Sequence, residues 1–513
     1  MAISLPVEVS PSTVDSPRTS SWVVPPSDVG EGDGLGLDEG LELGLDDGDG
    51  DGEGVASWAR VTLADKISKP DPAIKPAREV LLRKREVLLR KREVLLRKRK
   101  VLLRKRKVLL RKIAYLAPLL VFIFAVFSGL IIYRAAWFGI DKHFSLLAES
   151  FIKNDLFLNP NNLPDGDYAD FNGKQYLFFG PMPSILLAPF VFVWGKNFPQ
   201  ITLSIASLVI TYLAIYVLVR KLKFNKIDAF WLANFFVFGT VLYFVGLVNT
   251  SAYIVQAVGT TFVVLSILEY FTKRRWWLIG ILIACAGATR ITLFGIAAFF
   301  LLEIIRNFKK ANLVRPVVLL MIPIILSLMM LGLYNLRKFG SIFDTGYTRN
   351  VSVLDKDYYN YKLGWFSPVH VSANLYSFLI MPPEPILKEG AEFSLKFPFL
   401  KANKFGMAIW FTSPLFIYLL FAKRESYTFS ATVAIILIFI PSLLYWGIGA
   451  VQYGYRYSLD FLPLLFLILL SAFKKGLGGF AKLLIAFGVI FNCFFMSSLW
   501  NSYPLLSFFE YLD

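Results

Sequence analysis

Apolar runs near twenty residues recur along this 513-residue chain, and they restrict its fold more than any other feature. A helix rises about 1.5 Å per residue, so roughly 20 apolar residues cross the hydrocarbon core of a bilayer. The runs fall at about 113–133, 201–219, 228–248, 252–272, 276–289, 291–304, 316–334, 405–422, 428–448, 461–473 and 480–499. The expected fold class is therefore an all-α polytopic membrane protein with about eleven transmembrane helices. A soluble enzyme is excluded. Cys285 and Cys493 both sit inside apolar runs, which suggests neither a disulfide framework nor a cysteine metal site.

The run 181–195 is left out of that count. It is short and carries Pro181, Pro183 and Pro189, which suits a re-entrant or interfacial segment better than a lipid-exposed crossing helix. Charge supports the omission. With the N-terminus inside, Arg220, Lys221, Lys223 and Lys226, then Lys273 to Arg275, then Arg306 to Arg315, then Lys423 and Arg424, then Lys474 to Lys482 all fall in inner loops. Counting 181–195 as a crossing would invert each of them. The large outer loops are then 134–200 and 335–404, expected to carry interfacial helices. Arg337 and Lys338 are tolerated outside because long loops translocate largely regardless of charge.

The high positive charge is local. Residues 1–74 carry 4 Lys and Arg against 15 Asp and Glu, whereas residues 75–112 carry 18 against 3. Residues 1–77 read as a disordered acidic tail rich in Gly, Ser and Pro. Residues 78–112 repeat one heptad five times, REVLLRK three times and RKVLLRK twice. Its apolar residues are consecutive and spread over roughly 200° of helix surface, so no coiled-coil seam forms. The repeat reads either as a basic membrane-surface helix or as a low-complexity tract that holds the N-terminus inside. Residues 1–112 are expected to be dispensable for folding and activity, with 113–513 the working transmembrane domain. The remaining positive charge follows from the inner loops, so no nucleic-acid partner is implied.

Chemistry points to the outer face. The chain has no phosphate-binding Walker loop, dinucleotide fingerprint, zinc-protease HExxH or GxSxG elbow. Asp141 lies just after the first run, His143 follows, and Asp165, Asp167 and Asp170 stand in a Pro/Gly-rich turn. Arg456 and Asp460 lie in QYGYRYSLDFLP at the mouth of the tenth run, and His370 and Glu384 in the second large loop. Arg290 joins two half-length runs at GATR, either as a buried tip or as a snorkelling interfacial residue. For Asp165-Gly-Asp167, turn chemistry is the simpler reading.

The segment FGIDKHF, residues 138–144, resembles the first-loop aspartate motif of the GT-C glycosyltransferases, membrane enzymes that include protein O-mannosyltransferases and lipid-A aminoarabinose transferases. The order that follows is similar too: LAESFIKNDLFL, NGKQYLFFGPMPSILLAPF, GATR, YNLRKFGSIFDTGY and YRYSLDFLPLLFLIL, together covering about residues 113–475. The resemblance implies transfer of a hexose or pentose from a polyprenyl-phosphate donor to a glycan, lipid or protein acceptor at the outer face of a cell membrane, as in a bacterial inner or plasma membrane. It makes Asp141 the general base or acceptor anchor. His143 would assist it or bind the donor. Arg456 and Arg290 are the cations to set against the departing phosphate, with Asp167, Asp170 and Asp460 nearby as substrate-binding groups. Where the O-mannosyltransferases carry a second acid directly after the aspartate, this chain has Lys142, so a divalent cation and the acceptor class stay open. The alternatives are a transporter or flippase of lipid-linked sugars and an inactive membrane scaffold. A transporter favours ionisable groups near the midplane and an internal repeat, and this chain places its acids in outer loops.

Overall fold

The computed structural model describes residues 75–135, 141–158, 167–349, 363–388, 390, 394–449 and 452–499. Residues 1–74, most of the expected acidic tail, lie outside these, as does Asp165. The chain divides into two compact units, Met1–Arg97 and Lys98–Asp513. The described part of the first, residues 75–97, is helical, and all the candidate site residues belong to the second.

The protein is mostly helical, as its apolar periodicity requires. Helix α1 (Lys75–Ala135) contains the basic repeat and the first apolar run. Arg, Lys, Leu and Glu are all good helix formers, so the repeat forms a helix although no face of it is wholly apolar. Among its described side chains, Leu88, Leu95 and Leu102 are exposed. Asn234 anchors the membrane part by donating from Nδ2 to the Pro118 carbonyl at 2.9 Å.

Five helices are long and apolar enough to cross a membrane: the Tyr115–Ile132 part of α1, α4 (Ile201–Lys221), α7 (Ser251–Tyr270), α10 (Val314–Phe339) and α15 (Gly479–Ser498). A sixth span results if α5 (Lys226–Phe238) and α6 (Val241–Leu247), bent by 58° at Gly239–Thr240, are counted as one. These are the helices of a membrane protein. Shorter apolar helices complete the set: α3 (Met182–Trp194), α8 (Trp276–Thr289), α13 (Thr428–Leu444) and Leu462–Phe473, which opens as α14 (Leu462–Leu470). Between α8 and α9 (Ala297–Asn307) the chain passes through a 3-10 turn, Ile291–Ile296.

Two expectations need correction. The run 405–422 is not one helix: it divides into strand β5 (Phe405–Met407), a single turn α12 (Ile409–Thr412) and a 3-10 segment, Pro414–Phe421. Gly406 takes a φ of +100° where β5 pairs in parallel with β6 (Gln452–Gly454), and Pro414 restarts the chain at a position that needs no donor. The all-α expectation also misses three two-stranded sheets among the described residues. One is the hairpin β1 (Ala169–Phe171) and β2 (Lys174–Tyr176), turned by Asn172 and Gly173, both at positive φ. Asn-Gly between two short runs is the signal for that turn. Another, β3 (Glu384–Leu387) with β4 (Leu395–Lys401), lies in the second large loop and carries the exposed ion pair between Glu384 and Lys401.

The two large loops pack on one another. Helix α2 (His143–Ile152), the amphipathic segment of the first loop, rests against α3, with Ser184 Oγ donating to the Phe144 carbonyl at 3.0 Å. Phe339 at the end of α10 meets the rings of Phe171 and Tyr176, and Tyr347 meets Phe178 at 4.7 Å. Lys338 is 3% exposed and donates to the Leu177 carbonyl at 2.7 Å, with its ammonium over the Tyr334 ring. Lys338 is thus a buried tie between the loops.

Gly180 sets how closely the descending segment approaches α8. A Cβ built there would fall 2.2 Å from the Ala288 carbonyl oxygen and 2.6 Å from that of Thr289, both backbone atoms that cannot swing aside. Gly180→Ala is expected to cost about 1–3 kcal/mol, read as a lower thermal midpoint. An unchanged midpoint would show that the two segments have room to separate.

Candidate functional site

The site is built on helix ends. The first N–H groups of α7 have no partner within the helix, and its N-cap residue, Thr250, supplies no side-chain bond. Asp141 supplies it from 110 positions upstream: Oδ2 accepts from the Ser251 amide at 2.7 Å and from Ser251 Oγ at 3.0 Å. An anionic group at a helix N-terminus is favoured by the dipole as well. The other carboxylate oxygen accepts from the His143 amide at 3.1 Å and pairs with His143 Nδ1. The ring, 1% exposed, also lies 3.2 Å from Ser251 Oγ through Nδ1.

Four donors therefore converge on one carboxylate. Burial pushes the Asp141 carboxyl up, but the hydrogen bond and charge of His143, with the amides of His143 and Ser251, outweigh it and hold the group below its ordinary 3.8. Asp141 is ionised at neutral pH, and it fixes the imidazole in one orientation. Lys142 plays no part in the pair, since its Nζ donates to Asn197 Oδ1 at 3.1 Å.

Two residues along α7 from Ser251, Tyr253 brings the same helix to Arg456. The guanidinium lies 4.9 Å from the Tyr253 ring and 5.0 Å from the Tyr457 ring. Its Nη2 donates weakly to Tyr457 Oη at 3.5 Å, and its Nε is buried without a hydrogen-bond partner among the described residues. Asp167 acts electrostatically on Arg456 and on Tyr347. Burial pushes the Tyr347 hydroxyl up to about 12 against the pull of Arg290 and Arg456, so it remains a proton donor at neutral pH. Tyr168, next to Asp167, stands 6.5 Å from His143 between ring centres.

Arg290 is buried and paired. At the end of α8 it is 13% exposed, and its Nε and Nη2 reach the two oxygens of Asp460 at 3.0 and 3.1 Å. Thr292 Oγ1 donates to the same carboxylate at 2.7 Å. The snorkelling reading of GATR is thereby set aside, and the charge of Arg290 is matched inside the protein. The Tyr457 ring faces both arginines, since Arg290 lies 5.7 Å from its centre.

The fold thus gathers Asp141, His143, Asp167, Arg290, Arg456 and Asp460, from four separate stretches of chain, along the first half of α7, with Asp141 at Ser251 and the turn that carries Arg456 and Asp460 bonded to Gln256 and Thr260. Asp170 is not drawn in: it stands exposed on β1 opposite Gln175. His370 is structural, since its Nε2 meets the Gly364 carbonyl at 2.8 Å as the chain enters helix α11 (Val371–Leu379). Ser251, Tyr253, Thr292, Tyr347 and Tyr457 are the participants that sequence reasoning missed. Asn249-Thr250-Ser251 ahead of an apolar run is a helix-start signal, but nothing local marks which distant carboxylate it receives. Among the described residues, no cluster of three or more His, Cys, Asp or Glu side chains could hold a metal ion.

No protein-family model matches this chain, and neither a curated protein nor a solved structure does. What the fold and the site define is a mostly helical membrane protein with an aromatic-lined charge cluster at its helix ends.

Proposed function

We propose that this protein is an integral membrane glycosyltransferase that moves a sugar from a polyprenyl-phosphate donor to an acceptor hydroxyl at the outer face of the membrane. The observation that carries the reading is the juxtaposition, through the first turn of α7, of an ionised, histidine-paired carboxylate with an arginine whose Nε has no hydrogen-bond partner among the described residues. These are the two groups that glycosyl transfer from a lipid phosphate requires.

In this reading the acceptor O–H gives its proton to the Asp141–His143 pair as its oxygen attacks the anomeric carbon. The bond from that carbon to the phosphate oxygen breaks, and its electron pair leaves with the polyprenyl phosphate. Asp141 holds the imidazole and stabilises the imidazolium as it forms. Arg456 is the cation that meets the charge growing on the phosphate, a role for which a guanidinium's fork of donors is suited. Arg290, already neutralised, positions Asp460 and the Tyr457 ring instead of binding the donor.

The test is incubation of the reconstituted protein with a panel of polyprenyl-phosphate sugars, following release of the polyprenyl phosphate. Arg456→Ala should weaken donor binding about tenfold to a hundredfold, because charged hydrogen bonds of this kind contribute roughly 1.5–3 kcal/mol. Arg456→Lys should recover part of it. Donor release by no member of the panel, with sugar-lipid flux across vesicles instead, would replace the enzyme by a transporter.

The proposed topology has eleven crossings with the N-terminus inside, counting the short and broken segments as spans packed against protein. Cysteines replacing the exposed Lys174 and Lys388 should both react with an impermeant reagent applied from outside, and one replacing the exposed Lys423 should not. Opposite sidedness of Lys174 and Lys388 would overturn the placement of the site.

A further inference from the structure

At the end of the helices remote from the charge cluster, an open groove of about 560 Å3 runs along the flank of α7. Half-buried Leu265 and Leu268 form its floor, with Val217 of α4 on one side and Leu278 of α8 on the other. The groove ends at Lys221 and Lys273, both exposed, and at Arg275. Glu269 is the acid that faces them. It is matched by Arg275, whose Nε and Nη2 donate to its two oxygens at 2.9 and 3.0 Å. The mouth therefore keeps the two lysine charges in excess.

We infer that this groove is a binding site for an anionic phospholipid, its acyl chain on the leucine floor and its phosphate between Lys221 and Lys273. The observations agree on that chemistry. An apolar channel one helix wide, parallel to the spans, fits a hydrocarbon chain better than a peptide, which would leave backbone groups without partners in the bilayer. Basic pockets between membrane helices on the lysine-rich side bind anionic headgroups. The carbonyl ends of α4 and α7 point toward this mouth and disfavour an anion, so the lysine side chains must supply the attraction. This inference is independent of the proposed transfer reaction, because the groove touches none of the residues assigned to it.

The experiment is native mass spectrometry of the full chain, purified with phosphatidylglycerol and phosphatidylcholine at equal concentration. Wild type should retain one phosphatidylglycerol in at least fivefold preference over phosphatidylcholine. Lys221→Gln with Lys273→Gln should abolish that preference, whereas Lys423→Gln with Arg424→Gln, a control pair of exposed cations, should leave it intact. Both lysines are exposed, so neither change threatens folding, and a melting curve verifies this. Equal retention of the two lipids by wild type, or an unchanged preference in the lysine variant, would overturn the inference. So would a retained polyprenyl phosphate that phosphatidylglycerol fails to displace.

Discussion

Asp141→Asn is expected to lower sugar transfer by about a thousandfold, the scale of a lost proton-transfer group, while donor binding stays within experimental error of wild type. The asparagine keeps the shape but turns an NH2 group toward donors that all pointed at a carboxylate. Part of the effect is therefore structural, and it is separable. Losing one acceptor for the buried donors of Ser251 and His143 should cost about 1–3 kcal/mol of stability, visible as a lower melting temperature at pH 7. Ser251→Ala provides the comparison: it removes one hydroxyl but leaves the amide bond, and should reduce transfer by less than about tenfold. Near-normal transfer by a well-folded Asp141→Asn protein would remove the mechanism.

The pH dependence has a definite sign. Because the Asp141 carboxyl is held below its ordinary 3.8, it contributes stability that is fully present above that value. That contribution is lost as the pH falls below 3.8 through the folded-state value. The difference in melting temperature between wild type and Asp141→Asn should therefore begin to narrow as the pH is taken below 3.8. Curves that stay parallel would show that Asp141 is not held ionised by its neighbours.

Asp460→Ala is expected to destabilise the protein by about 3–5 kcal/mol, because it leaves the Arg290 guanidinium buried without its counter-charge. Arg290→Ala should cost a similar amount for the reciprocal reason, with Thr292 alone left to bond the Asp460 carboxylate. Replacing both by apolar residues of similar volume, Arg290→Met with Asp460→Leu, should recover most of the loss, since the desolvation of both charges disappears with them. Donor affinity separates this account from one in which Arg290 holds the phosphate. If Arg290→Ala weakens donor binding as much as Arg456→Ala and leaves the melting temperature unchanged, the division of labour between the two arginines is reversed.

The membrane helices were legible because hydropathy is a property of contiguous residues. Tyr115–Ile132, Ile201–Lys221, Ser251–Tyr270, Val314–Phe339 and Gly479–Ser498 each fall on a run read directly from the chain. Run 405–422 was misread because hydropathy does not register backbone conformation. Gly406 and Pro414 are apolar enough to pass unnoticed, yet one supplies a positive φ and the other cannot donate. The hairpin at Asn172–Gly173 carries a local signal, Asn-Gly between two short runs, that a division of the chain into apolar runs passes over.

The candidate site divides along the same line. That Asp141, His143, Arg290, Arg456 and Asp460 fall at the ends of apolar runs follows from the sequence alone, because a charge is costly inside hydrocarbon and cheap at its edge. Which of them are neutralised was decided by tertiary structure. Arg290 and Asp460 are 170 positions apart, and Asp141 and Ser251 are 110 apart. The strength of an ion pair depends on separation in space and on shielding from water, and neither is encoded in any local stretch. Packing of α7 against the first loop assigned Asp141 to a helix end and to His143, packing of the 3-10 turn Arg456–Asp460 against α7 brought Asp460 to Arg290 at the end of α8, and the same turn left Arg456 with two tyrosine faces.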